Sequence, residues 1–193
     1  MRAVNALAIL LSIPPPYSTT IAEMSTAATA FLDPETHVFV SGPNRQISHA
    51  SAAWLTLSAA FSPEVSRKAL LSTLAHSSAI TPLTPYLYHH TVDALLSVDL
   101  HAEAVNLLKS YWGGMVKAGA DTFWECFDEK DARASPYGDV RNNSFCHAWS
   151  CTPSYLLRAK LVEFLGATDV GEVKMGILDE RYIRETCGGT KDV

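Results

Sequence analysis

The sequence predicts an all-α protein. Apolar residues recur at steps of three and four along most of the chain, which places them on one face of a helix. Short proline-containing breaks separate these segments, and strands do not alternate with helices. We therefore expect helical hairpins of uneven length, without the fixed period of a tetratricopeptide or ankyrin array.

Four helices are predicted from apolar spacing and capping signals. Two of them open at Ser62-Pro63 and Thr84-Pro85, where a hydroxyl residue and a first-turn proline are typical of a helix N-terminus. Gly113 and Gly114 lie inside the fourth helical pattern and indicate either a close backbone approach or a needed opening. The predicted helices are Ile47 to Phe61, Pro63 to about His76, Tyr86 to about Val98, and Ala102 to Met115.

The region after the fourth helix combines a loop and a final helix. The sequence from Glu129 to Asn143 is polar and contains a proline and a glycine, so a long loop is expected there. A last long helix is predicted from about Ser144 to Leu165, kinked at Pro153. Loose alternation from Glu172 to Ile183 predicts one short C-terminal β-strand.

Two interpretations of the N-terminus stay open. Arg2, the apolar run Ala3–Ile13 and Thr20-Ile21-Ala22 fit a short signal peptide with its cleavage site. The single positive charge and the prolines from Pro14 onward favour a core helix instead, and with it a cytoplasmic over a secreted location. The expected organisation is an N-terminal segment of uncertain role (1–30), one helical domain (31–183) and a flexible tail (184–193).

Composition excludes several classes of function. The net charge of −5, without any Lys/Arg cluster, excludes a nucleic-acid partner. No apolar run reaches the length of a membrane span, so no membrane partner is expected. The cysteines lack zinc-ligand spacing, and the chain has no phosphate-binding glycine motif, so neither metal nor cofactor is expected. A neutral partner such as a sugar fits better.

Glu125 is the candidate general base. It lies between Trp124 and Phe127, whose rings would desolvate a carboxylate and raise its pKa. Spacing alone favours the alternative, which is a capping or salt-bridged glutamate near a helix start.

A second candidate segment surrounds His147. On the predicted final helix, His147 and Ser150 would share one face, with Trp149 beside them. A histidine next to a tryptophan suits a sugar pocket, because aromatic faces stack on pyranose rings and histidine donates hydrogen bonds to hydroxyls. A packed helix with a hydrogen-bonded histidine is the alternative, and spacing alone favours it.

Three motifs follow one another along the chain: Tyr111-Trp112-Gly113-Gly114-Met115, Gly119-Ala120-Asp121-Thr122-Phe123-Trp124-Glu125 and Ser144-Phe145-Cys146-His147-Ala148-Trp149-Ser150. In this order they resemble family 78 of the glycoside hydrolases, the α-L-rhamnosidases. The similarity extends from about Phe31 to Tyr182 and corresponds to the C-terminal half of that family's catalytic domain.

The resemblance implies a partial (α/α)6 barrel of about six or seven helices that hydrolyses terminal α-L-rhamnosyl linkages with inversion. It implies that Glu125 is the general base and that Trp124, His147 and Trp149 line the sugar pocket. Asp128, one helical turn from Glu125, is expected to orient that base or its water. The implied partner is a rhamnoside-containing carbohydrate or a glycosylated small molecule.

The chain departs from the family at the general acid. In the family the acid lies in the N-terminal half of the barrel, whereas Glu23 is the one carboxylate among residues 1–30. One hypothesis is a truncated hydrolase that is completed by another chain or a second copy. A second is a catalytically inactive sugar-binding or remnant protein, and a third is a truncated gene product that barely folds. A partial barrel would also expose apolar surface and favour self-association.

Overall fold

The protein is described by a computed structural model that covers residues 17–131, 133–162 and 164. This part of the chain is mostly helical and contains one two-stranded sheet, which confirms the predicted fold class. The helices are α1 (Tyr17–Ala28), α2 (His49–Leu57), α3 (Pro63–Leu74), α4 (Pro85–Ser97), α5 (His101–Lys117) and α6 (Thr152–Leu156), and the strands are β1 (Val40–Ser41) and β2 (Gln46–Ile47).

Three of the predicted helices, α3, α4 and α5, are confirmed to within a few residues. The α3 helix opens as expected, because the Ser62 hydroxyl accepts the Val65 N–H over 3.3 Å and Pro63 occupies the first turn. The α2 helix is shorter than predicted. It begins after Ser48, whose hydroxyl accepts the Ser51 N–H over 3.1 Å, and it ends at Leu57.

The prediction of a long final helix from Ser144 is wrong. Residues 144–147 are not helical, and His147 has an extended backbone with φ −121° and ψ 119°. A 3-10 turn follows at Ala148–Ser150, and the α-helix begins only at Thr152. Pro153 therefore occupies the first turn of α6, where its missing N–H costs nothing, and it does not kink a longer helix.

Several predictions lie outside the described residues. These are the apolar segment before Pro16 with its two interpretations, the end of the final helix at Leu165, the strand from Glu172 to Ile183 and the flexible tail. Along the described part of the chain, no helix has both the length and the apolar character needed to cross a membrane.

Two compact units divide the chain. The first comprises Met1–Pro82 and His90–Leu100, and the second comprises Leu83–His89 and His101–Val193. In the first unit β1 and β2 pair antiparallel with Val40 opposite Ile47, a hairpin too short to leave an alternating sequence pattern. The core residues of this unit include Phe39, Leu55, Leu70, Val92 and Leu95, which are fully buried.

The second unit is organised around α5, which buries Tyr111, Trp112 and Met115. This helix ends at Lys117, and Gly119 follows it with a φ of 98°, which is accessible to glycine at little cost. The N–H groups of Gly119 and Ala120 donate to the carbonyls of Val116 and Met115 over 3.0 and 3.1 Å, which closes the helix in a Schellman motif. The turn leads directly into the segment that contains Glu125.

Candidate active site

Two segments that are distant in sequence run antiparallel in the second unit and bring the predicted site residues together. The Glu125 N–H donates to the Ser144 carbonyl, and the His147 N–H donates to the Phe123 carbonyl, each over 2.8 Å. The Thr122 hydroxyl donates to the carbonyl of Phe145. These bonds explain why the predicted helix does not begin at Ser144, since its backbone groups are already used by the neighbouring segment.

Buried contacts anchor both segments to α5. The Trp124 N–H contacts Met115 Sδ over 3.1 Å, and Trp112 Nε1 donates to the Ser150 carbonyl over 3.0 Å. The hydroxyl of Ser150, a residue with 0% exposure, donates to the Trp124 carbonyl over 2.6 Å. One helix therefore positions both segments.

Glu125 is almost completely buried, with 3% of its surface exposed, and both of its carboxylate oxygens accept hydrogen bonds. Oε1 accepts from the Tyr137 hydroxyl, and Oε2 accepts from the Ser144 N–H over 2.9 Å. Both donors are neutral, and among the described ion pairs none involves Glu125. Within the described residues, the carboxylate is therefore held by two hydrogen bonds and not by the salt bridge that the sequence left open as an alternative.

These hydrogen bonds lower the pKa of Glu125. The Tyr137 hydroxyl contributes most, followed by the Ser144 N–H; burial acts in the opposite direction and His147 adds a smaller lowering effect. The sequence-based prediction of a raised pKa is therefore wrong, because two donors outweigh desolvation. The carboxyl group is ionised at neutral pH, as a general base must be, whereas a general acid requires a raised pKa.

A cleft of about 330 Å³ is lined by Trp124 and Cys126, the residues on either side of Glu125 in the sequence. Its walls include the rings of Trp124, Phe127 and Phe145, and its polar lining includes Lys117 and Asp128. This volume and this mixture of aromatic and polar groups can hold a small sugar. Among the predicted site residues Trp124 and Asp128 line the cleft, whereas the Glu125, His147 and Trp149 side chains lie outside its lining.

His147 and Trp149 form a separate aromatic patch. Their ring centroids are 4.5 Å apart, and the Trp149 ring lies 6.0 Å from that of Tyr86. Trp149 is 42% exposed, so its ring is available to a ligand. His147 and Ser150 do not share a helix face, because no helix forms there.

Asp128 is on the cleft but does not bind Glu125. Its Oδ1 accepts the Lys130 N–H over 2.8 Å, and no described hydrogen bond joins it to the Glu125 carboxylate. Gly114, in contrast, shows the predicted close approach, since a Cβ atom built there would lie 2.8 Å from Phe127 Cε1. The missing side chain of Gly114 thus leaves room for one wall of the cleft.

The sequence did not predict that Tyr137 and Ser144 contact Glu125, although they supply both of its hydrogen-bond donors. They lie 12 and 19 residues away from it, so local spacing cannot connect them. The available signal was weak: Tyr137 is an aromatic residue between Pro136 and Gly138 in an otherwise polar loop.

Cysteines and metal ligands do not define a second centre in the described region. Cys126, Cys146 and Cys151 are free thiols, the first buried and the other two exposed. Within residues 17–131, 133–162 and 164, no three His, Cys, Asp or Glu side chains are grouped to hold a metal ion.

The second unit thus combines a buried, hydrogen-bonded glutamate with a cleft that is lined by aromatic and polar side chains. The structure is similar to a rhamnosidase from Klebsiella oxytoca, determined with rhamnose bound, with a TM-score of 0.66 and 45% sequence identity. The similarity covers 69% of this chain and 26% of that rhamnosidase. No protein-family model matches the chain, and no curated protein matches it. The matched part of the chain is therefore rhamnosidase-like in sequence and fold, which confirms the resemblance seen in the motifs.

Proposed function

We propose that the chain takes part in the hydrolysis of terminal α-L-rhamnosyl linkages with inversion, and that Glu125 is the general base. The observation that carries this proposal is the state of the Glu125 carboxylate, which is ionised and fixed by Tyr137 and Ser144 within a rhamnosidase-like segment. An inverting hydrolase needs such a group to remove a proton from the attacking water.

The carboxylate retains capacity for that water. An ionised carboxylate has about four lone-pair positions, and the protein donors occupy one on each oxygen. A water bound to a remaining position would lose its proton to Glu125 while its oxygen attacks the anomeric carbon. The attack comes from the face opposite the leaving group and produces the inverted sugar.

Inversion also needs a carboxylic acid that protonates the leaving oxygen, roughly 6.5–9.5 Å from the base. No described residue is assigned that role. The chain spans 26% of the similar rhamnosidase. We propose that the acid comes from outside the described residues, supplied by another chain, by a second copy or by a further part of a longer protein.

The sugar itself would be held by aromatic surface. Trp124 in the cleft wall and the exposed Trp149 ring can each stack on a pyranose, while Asp128 and His147 can bind hydroxyls. Rhamnose is a 6-deoxy sugar, so its methyl group gains from contact with apolar walls such as Phe127. We propose a barrel of the (α/α)6 type as the frame for this pocket.

A second candidate function is sugar binding without turnover. It is favoured by the position of Glu125, whose side chain is 3% exposed and does not line the cleft. In this case the aromatic surface would bind rhamnose while the carboxylate stabilises the fold.

Release of nitrophenol from 4-nitrophenyl α-L-rhamnoside separates the two functions. We expect Glu125→Gln to lower the rate roughly 10²–10⁴-fold. Glu35→Gln, which neutralises an exposed acid that does not line the cleft, is the matched control and should keep the activity. Equal rates for the unmodified protein and Glu125→Gln would contradict the assignment of the base. Binding of rhamnose by calorimetry without any hydrolysis would support the second function.

The stereochemistry of the first product tests inversion directly. Proton NMR early in the reaction should show β-L-rhamnose before mutarotation, because attack on an α-linkage from the opposite face inverts the anomeric centre. The α-anomer as first product would contradict an inverting mechanism.

A further inference from the structure

We propose that Tyr137 is a positioning residue, whose hydroxyl fixes the orientation of the Glu125 carboxylate. This inference rests on the proposed role of Glu125 as the base and deepens it. The sequence motifs assigned Tyr137 no part in the site.

Tyr137 and Glu125 are buried to very different extents, and this difference indicates which interaction holds them together. The Tyr137 residue is 56% exposed, whereas Glu125 is 3% exposed, yet the hydroxyl reaches Oε1 of that carboxylate. An exposed ring gains little from packing, so the hydrogen bond to a buried, charged acceptor is its main specific interaction. Hydrogen bonds to charged acceptors are stronger than those between neutral groups.

The turn that carries Tyr137 is itself ordered by polar contacts. The Tyr137 N–H donates to Ser135 Oγ over 3.1 Å. The Ser135 hydroxyl in turn donates to the Asp139 carbonyl over 2.9 Å. Gly138, with φ 77°, supplies the left-handed residue that the turn requires. These contacts present the tyrosine ring in one direction.

The turn is also tied to the chain immediately next to the base. Asn143 Nδ2 donates to the Ala134 carbonyl over 2.8 Å, and Cys126 Sγ lies 3.4 Å from the same oxygen. Cys126 directly follows Glu125. The donor and the carboxylate thus belong to one connected network, and a shift of the turn would move the hydroxyl relative to Oε1.

Two donors on two different oxygens fix the carboxylate plane. Rotation of a glutamate carboxylate about its last torsion is otherwise broad. With Ser144 on Oε2 and Tyr137 on Oε1, the lone pairs left for water point in defined directions. Tyr137 therefore acts on the reaction through Glu125 and needs no contact with the sugar.

The test replaces Tyr137 by Phe, which removes the hydroxyl and keeps the ring. Carbon-13 NMR of the full chain would follow the titration of the Glu125 carboxyl group, assigned by its loss in Glu125→Gln. We expect the pKa of Glu125 to rise in Tyr137→Phe, because the donor that contributes most to lowering it is absent. The other titratable neighbours of Glu125, His147 and Cys126, are unchanged in the variant, so the difference reports the hydroxyl alone.

Tyr155→Phe is the matched control, since Tyr155 is 53% exposed and has no described contact with Glu125. It should leave the titration unchanged. An unchanged Glu125 titration in Tyr137→Phe would overturn the inference.

Kinetics separate this inference from the proposed function. If Glu125 is the base, the acidic limb of the kcat/KM profile should move to higher pH in Tyr137→Phe, with KM little changed. An unmoved limb would overturn the positioning role. If hydrolysis does not depend on Glu125, the proposed function fails, while a shifted carboxyl titration still supports the coupling of Tyr137 to Glu125.

Discussion

Glu125 and Ser144 are joined twice, once in each direction. The Glu125 N–H donates to the Ser144 carbonyl over 2.8 Å, and the Ser144 N–H donates to Glu125 Oε2 over 2.9 Å. The second bond comes from the backbone, so a change in the Ser144 side chain does not remove it. The position of the carboxylate is thereby set by the pairing of two chain segments.

Ser144→Pro should raise the pKa of Glu125, whereas Ser144→Ala should not. Proline lacks the N–H that Oε2 accepts, and the preceding Asn143 already has the extended backbone, φ −73° and ψ 142°, that a following proline prefers. Alanine removes only the hydroxyl, which donates to the Cys146 carbonyl over 3.0 Å. Carboxyl NMR titration measures both, and an equal effect of the two substitutions would show that the backbone donor is unimportant.

Ser150→Ala should destabilise the protein by about 1–2 kcal/mol, because the Trp124 carbonyl loses its buried hydroxyl donor. Urea denaturation followed by circular dichroism measures the free energy of unfolding. Ser154→Ala, at an exposed serine of α6, is the control and should change stability by less than about 0.5 kcal/mol. Similar losses at both positions would contradict the anchoring role of Ser150.

Gly114→Ala should lower the free energy of unfolding by about 1 kcal/mol, because the new methyl group would lie 2.8 Å from Phe127 Cε1. Overpacking costs about 1–3 kcal/mol, and alanine returns about 0.5–1 kcal/mol of helix stability. In a Phe127→Leu background the ring edge is absent, so the same substitution should be neutral or stabilising. Equal penalties in both backgrounds would show that the ring does not set the cost.

Acid stability should depend on Asp33. Its pKa is lowered from 3.8 to about 2, first by the Thr36 N–H and further by the Glu35 N–H and the Arg45 guanidinium. A depressed pKa contributes stability that is complete above 3.8 and is lost as the pH falls toward about 2. Asp33→Asn should therefore show a shallower loss of unfolding free energy over this window in denaturant titrations. An identical slope would contradict a depressed pKa.

The sequence predicted the helices whose signals are local. Ser62-Pro63 and Thr84-Pro85 mark helix starts by capping chemistry, and the α5 stripe is continuous, so α3, α4 and α5 were found. The final helix was not predictable in this way. Phe145 and Trp149 look like an apolar stripe, but both side chains are exposed, and pairing with the Glu125 segment takes the backbone bonds that a helix would need.

The sequence predicted that the candidate residues lie in one region, but it did not predict the electrostatics of Glu125. Motif order placed Glu125, Trp124 and His147 in one region, and the antiparallel segments bring their backbones together. The pKa of Glu125 is lowered because Tyr137 and Ser144 donate hydrogen bonds to its carboxylate. The rings of Trp124 and Phe127, close in the sequence, suggested that desolvation raises this pKa. The hydrogen bonds that outweigh desolvation come from residues distant in the sequence.

The buried thiol of Cys126 has a practical consequence. Burial and the adjacent Glu125 charge raise its pKa, so it stays protonated and reacts slowly with electrophiles. Cys146 and Cys151 are exposed on the segment that follows Ser144. In a Cys187→Ser background, a maleimide dye would therefore attach beside the His147–Trp149 patch and leave the thiol next to the carboxylate untouched, so ligand contact with that patch can be followed by fluorescence.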